Sequence, residues 1–209
     1  MEHDHESHDA GPGFDERAAT WDDEAKVARA ALIARRIAEE VTLTGTERLL
    51  EYGAGTGLVA EALRDSVGPI TLADSSEGMR AVAQGKIDDG RLPGARIWSL
   101  DLSSEPVPVG ESFDLIVTSM VLHHVDRLDD TLQAFHELLV PGGHVCAIDL
   151  DAEDGSFHGE GVHVHHGFDR DAFAARLRAA GFTEVSISDC GTVDREGAAF
   201  GLFLAVATR

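Results

Sequence analysis

The stretch Leu49-Leu50-Glu51-Tyr52-Gly53-Ala54-Gly55-Thr56-Gly57 decides how this chain is read. A short apolar run ends in an acid, and glycines spaced G-x-G-x-G follow it. Glycine has no Cβ, so such a loop lets the backbone close on a bound ligand. A dinucleotide fingerprint needs G-x-G-x-x-G, and its third glycine would fall on Leu58 rather than Gly57. Which ligand the loop serves therefore depends on the elements around it.

Outward from the loop, helix and strand signals alternate. Val27, Ala31, Ile33, Ala34, Ile37 and Val41 recur at helical spacing and predict one amphipathic helix over about 23–40. Strands are expected at 48–52, 70–74, 95–100, 113–119 and 144–149, with helices at 58–65, 77–86, 129–139 and 169–180. Pro141-Gly142-Gly143 stops the third of these helices, and Asp169 is placed to cap the last. Near-continuous apolar strands such as Phe113-Asp114-Leu115-Ile116-Val117 imply a parallel sheet covered on both faces. Two further strands, 184–189 and 200–207, have no helix between them, so they form a hairpin and the last runs antiparallel. The expected fold is α/β, a doubly wound, seven-stranded and mostly parallel sheet with a C-terminal antiparallel hairpin strand.

The bulk numbers narrow the partners. A chain of 209 residues that is 43% apolar can bury one substantial core. We expect a single domain over 14–209, with 14–45 as an N-terminal cap helix region. Residues 1–13 are acidic, His-dotted and closed by Gly11-Pro12-Gly13, which reads as a flexible tail without the features of a secretory signal. With 17 basic and 38 acidic residues the formal charge is −21, which repels phosphate backbones and anionic headgroups. Neither nucleic acid nor a membrane is expected as partner, and the cytoplasm is the expected location. The sequence does not define an oligomeric state.

In an open parallel sheet, ligands bind beyond the carboxyl ends of the strands. The ends concerned here are Glu51, Asp74, Asp101 and the 118–120 segment, and most of them offer a carboxylate. A pyrophosphate is poorly served by such anions. A ligand with an ammonium, a cis-diol and an amino-purine is well served. A carboxylate accepts hydrogen bonds from two adjacent ribose hydroxyls, which accounts for Asp74 some 20 residues beyond the loop.

From about Phe14 onward the chain resembles class I S-adenosylmethionine-dependent methyltransferases, particularly the small-molecule type with a helical N-terminal cap. Glu51-Tyr52-Gly53-Ala54-Gly55-Thr56-Gly57 is similar to their first motif. The resemblance implies S-adenosyl-L-methionine as cofactor, with Glu51, Gly53, Ala54 and Gly55 at its methionine part. It implies Asp74 at the ribose, Ser75 and Met79 beside the adenosine, and Asp101 with the Leu102 N–H at the adenine. Phe113 through Ser119 resembles the fourth motif, Val121-Leu122-His123-His124-Val125 its continuation, and Leu138 through Gly143 the turn before the fifth strand. Ser119 accordingly belongs at the cofactor cleft. Residues 14–22 resemble a segment that folds over the cofactor, which would place Trp21 against the sulfonium. In the family's strand order, Cys146 and Cys190 lie two strand spacings apart, about 9–10 Å, too far for a disulfide.

The implied reaction is methyl transfer to a small molecule, with O, N, S or C as the accepting atom. A general base is needed only where the nucleophile keeps a proton of high pKa. The loop from Asp149 to Phe168 is long for a compact domain and carries His158, His163, His165 and His166. His158 and His166 are the expected catalytic residues, His158 as the base. His123 and His124 are read as capping the next helix or lining the cleft. No metal-ligand spacing stands out among the histidines, so no metal is expected. Two other readings stay open: a non-catalytic S-adenosylmethionine-binding protein and, disfavoured by the Gly57 spacing, a nicotinamide-dependent oxidoreductase.

Overall fold

A computed structural model of the chain describes residues 13–159 and 164–209. The tail with His3, His5 and His8 therefore lies outside the described residues, as does His163.

The alternating signals fold as anticipated. After a short helical lead-in, α1 (Phe14–Arg17) and a 3-10 turn (Ala18–Thr20), comes the long helix α2 (Glu24–Glu40). The order then runs β1 (Leu49–Tyr52), α3 (Leu58–Leu63), β2 (Ile70–Ala73), α4 (Glu77–Asp88), β3 (Arg96–Trp98) and β4 (Phe113–Ser119). It closes with α5 (Leu128–Leu138), β5 (Leu139–Leu150), α6 (Arg170–Ala179), β6 (Thr183–Arg195) and β7 (Ala198–Thr208). Side-chain caps fix the helix starts: Asp23 accepts from the Lys26 N–H, Ser76 from that of Met79 and Asp169 from that of Ala172.

The seven strands order as β3-β2-β1-β4-β5-β7-β6. β1 pairs in parallel with both β2 and β4, whereas β7 runs antiparallel to both β5 and β6. The chain thus steps outward from β1 to β3 and then crosses back to β4, which opens a crevice above the β1 and β4 ends. Strand residues alternate between two cores. Leu49, Leu115, Val117, Cys146 and Ile148 face Ile33 and Ile37 of α2 and the apolar side of α3. Leu50, Ile116, Val145, Ala147 and Phe203 face Leu132 and Phe135 of α5 and Phe173 and Leu177 of α6. Both cysteines are free, one on β5 and the other on β6 with β7 between them.

Two boundaries differ from expectation. β5 starts at Leu139, because the Pro141-Gly142-Gly143 turn is absorbed as an irregularity in its pairing with β4. The final hairpin extends to Arg195 and Ala198, since Glu196 and Gly197 both take positive φ (52° and 83°) and make a tight turn. That extension is mostly exposed, so it carries no apolar alternation for a sequence reading to detect.

Candidate functional site

The glycine loop lies at the crevice and is shaped from two sides. Gly53 has φ +66°, and a Cβ placed there would sit 2.3 Å from Val121 Cγ2. The residue type thus lets the segment after β4 lie directly on the loop. From below, Glu51 accepts from the Ala60 N–H at 2.9 Å and is 3% exposed. Burial pushes its carboxyl up to about 8, against the pull of the Ala60 N–H and Lys86. Glu51 therefore holds the loop to the start of α3, one layer beneath the crevice.

Asp74, at the end of β2, bridges loop and helix. Its carboxylate accepts from the Gly55 N–H at 2.7 Å and the Ser76 N–H at 2.8 Å. Burial raises its pKa, offset in part by those two N–H groups. Met79 Sδ and Trp21 Nε1 converge on the open side of Gly55, each 3.8 Å from where a Cβ would lie. Ser75 lies between Asp74 and the α4 cap, where its carbonyl accepts from Arg80 at 2.7 Å. Ala54 is buried, and its N–H donates to the Ala73 carbonyl at 2.9 Å.

At the exit of β3, Asp101 and Leu102 lie together with Tyr52. Burial pushes Asp101 up, yet the Ser103 and Ser104 hydroxyls more than offset this and leave it below its usual range. The Leu102 N–H, expected to serve a ligand, donates to the Tyr52 hydroxyl at 3.1 Å. The same hydroxyl lies 3.4 Å from Asp101 Oδ1. In the sequence Tyr52 stands only as part of the glycine motif, and nothing there signals its reach across to β3's exit.

The N-terminal segment closes over this crevice through charges. Asp15 accepts from the Ser76 hydroxyl and, at 2.7 Å, from the Gly78 N–H. Asp22 pairs with Lys86 at 2.7 Å and accepts from the Thr56 hydroxyl. Lys86 is 3% exposed and also lies 3.3 Å from Glu61, so a buried cation anchors the cap to α3 and α4. Trp21 sits between these two attachments.

Beyond β4 and β5 the histidines gather, though not the pair expected. Met120 takes φ +60°, rare for a side-chain-bearing residue, and turns the chain into the 3-10 turn Leu122–His124. Ser119, half-buried, ends β4 just before it. His123 is buried, with Nδ1 2.6 Å from Oδ1 of the equally buried Asp149. The rings of His123, His124 and His158 then lie together, with potential ligand nitrogens all within 4.8 Å of one another. Burial and the neighbouring rings hold His124 down at about 3 and His158 at about 4.

His158 reaches the cluster because its loop is fastened at the base. Phe168 bridges Asp151, the Phe168 N–H donates to Leu150 O, and Arg170 pairs with Asp151. His165 adds a second tie, donating its N–H to His123 O at 2.8 Å with Nε2 3.1 Å from Val125 O. His166, the other expected residue, stands apart. Its exposed ring lies against Gly155, and it is not part of the cluster. His123, His124 and Asp149 are the residues sequence reasoning undervalued.

The description of a methyltransferase domain matches residues 24–187, so the chain belongs to the methyltransferase-domain family. The fold and family are those of class I S-adenosylmethionine-dependent methyltransferases, and their cofactor is S-adenosylmethionine. The hybrid PKS-NRPS synthetase lepA of Aspergillus flavus is 34% identical over 113 residues, covering 51% of this chain and 3% of that protein. The uncharacterized methyltransferase C1347.09 of Schizosaccharomyces pombe is 29% identical over 135 residues, 57% of this chain and 48% of that one. The chain thus spans only a small part of the first of these relatives and about half of the second. The N-methyltransferase NodS of Bradyrhizobium japonicum, solved with S-adenosyl-L-homocysteine, superposes with TM-score 0.68 at 20% identity, covering 90% of this chain and 89% of that one. No helix among the described residues is long and apolar enough to cross a membrane.

Proposed function

We propose that this chain transfers the methyl group of S-adenosylmethionine to a small-molecule acceptor seated over the ends of β4 and β5. The observation that carries this is a division of chemistry along one sheet edge. Carboxyl groups stand at the ends of β1, β2 and β3, and imidazoles cluster beyond β4 and β5. The first set suits the cofactor: Gly53, Ala54 and Gly55 under the methionine part, Asp74 on the ribose, Ser75 and Met79 beside the adenosine. Asp101 takes the adenine amino group, and the Leu102 N–H serves the ring once the Tyr52 hydroxyl turns away. Trp21 covers the sulfonium, Ser119 lines the junction, and Glu51 acts from beneath by holding the loop.

The second set suits an acceptor. Methyl transfer is an in-line displacement in which the bond to the nucleophile forms as the S–CH3 bond breaks, both electrons going to sulfur. The cofactor supplies the activated methyl, and the protein orients it and excludes water. Where the nucleophile carries a proton, His158 and His123 are placed to accept it, and Asp149 orients the His123 ring. Acceptor-dependent release of S-adenosylhomocysteine, screened over phenols, amines, thiols and 1,3-dicarbonyls, tests the reading. Cofactor binding with no release for any class would point instead to a non-catalytic binding protein.

A further inference from the structure

The histidine cluster has a geometry that proton transfer alone does not require. Ring centroids lie 4.2 Å apart for His123–His124, 4.9 Å for His123–His158 and 4.9 Å for His124–His158. Imidazoles sharing one ion at metal–nitrogen bonds of about 2.0–2.1 Å place their ring centres roughly 4.5–5.2 Å apart. The two pairs that include His158 fall in that range, and the His123–His124 pair lies slightly inside it, so convergence on one ion asks those two rings to part a little.

Two further observations point to a ligand. His158 Nε2 is buried and has no hydrogen-bond partner among the described residues. His123 has its Nδ1 engaged by the buried Asp149, which leaves Nε2 as its free nitrogen, and its ring centre lies 4.9 Å from that of His158. A carboxylate on the far nitrogen of a histidine fixes its tautomer and orientation, and metal-binding histidines recurrently carry such a partner. Phe157 lies edge-on to both His123 and His158, and Phe14 edge-on to His124, which gives the cluster an apolar surround.

We propose that His123, His124 and His158 bind one divalent transition-metal ion of the zinc class, with Asp149 orienting His123. Three imidazole ligands leave a fourth position, as metal sites that take a substrate do. With the ion bound, the imidazole lone pairs are engaged and the rings no longer serve as bases; the fourth position instead takes an oxyanion of the acceptor, such as a phenolate or enolate. That use rests on the methyl-transfer reading, whereas the binding itself does not.

The test uses the full chain, stripped with a chelator and titrated with Zn2+ against a chromophoric competitor, with Co2+ absorption followed in parallel. One equivalent should bind at about micromolar Kd or tighter. Asp149→Asn should weaken binding about 10- to 100-fold, and His158→Gln by at least as much. Because the tail histidines offer competing ligands, a variant with His3→Gln, His5→Gln and His8→Gln should bind as the parent does. Thermal melts and S-adenosylmethionine affinity are measured alongside to check that His158→Gln remains folded. Binding that survives His158→Gln, binding that disappears with the tail variant, or no stoichiometric binding would each overturn the proposal. The readout needs no acceptor, so failure of the metal site and failure of methyl transfer are separately visible.

Discussion

His123 Nδ1 lies 2.6 Å from Asp149 Oδ1, and neither side chain reaches solvent. This pair joins the turn after β4 to the end of β5 and aims one imidazole nitrogen at the proposed acceptor pocket. Asp149→Asn should lower kcat by about 10- to 100-fold, leaving the Kd for S-adenosylmethionine within a factor of two or so. Equal losses in both would make the pair a structural strut with no part in positioning the ring. Steady-state kinetics with a competent acceptor, alongside calorimetry, separates the two outcomes.

Asp74 tests the cofactor assignment. Asp74→Ala removes the carboxylate that holds the Gly55 and Ser76 N–H groups and is assigned to the ribose hydroxyls. Cofactor binding should weaken by about 1–3 kcal/mol, roughly 5- to 150-fold. Unchanged affinity for S-adenosylhomocysteine in a calorimetric titration would remove Asp74 from the site.

Gly53 tests the packing of the loop. Gly53→Ala forces a methyl against Val121 Cγ2 in a backbone region that favours glycine, and should cost about 1–3 kcal/mol in urea unfolding. Adding Val121→Ala relieves the contact but not the φ, so the double variant should recover only part of the loss. Full recovery would show that the contact alone matters, and no initial loss would contradict the close approach.

Glu51 gives a pH signature. Its carboxyl titrates at about 8 in the folded chain against an ordinary value near 4.5, so it stays protonated in the fold over a range where the unfolded chain ionises. The resulting contribution to stability is fully present below about pH 4.5 and is lost as pH rises through about 8. Glu51→Gln keeps an acceptor for the Ala60 N–H and does not titrate. Its unfolding free energy should therefore fall less than wild type between pH 5 and 8, by an amount on the order of 1–3 kcal/mol. Parallel curves for the two proteins would mean that Glu51 is ionised in the fold.

Much of the fold was legible because each strand signal is a contiguous apolar run and each helix carries one apolar stripe. The places of Glu51, Asp74 and Asp101 at the ends of β1, β2 and β3 were legible for the same reason, since each follows an apolar run. Tyr52 was not, because its hydroxyl acts on a residue 50 positions later, Leu102. The histidine cluster was not legible either. His123 and His158 have no ligand spacing in sequence, and only the pairing of β4 with β5 brings their two loops together. Asp149 reads as one acid among several in Asp149-Leu150-Asp151, and its burial depends on which face of β5 it takes.

Calorimetric titration of the full chain with S-adenosylmethionine, with NADH as the comparison ligand, tests the central claim most directly. One-site binding of S-adenosylmethionine at about micromolar Kd, without binding of NADH, is the predicted result. Binding of NADH in its place, or of neither ligand, would contradict it.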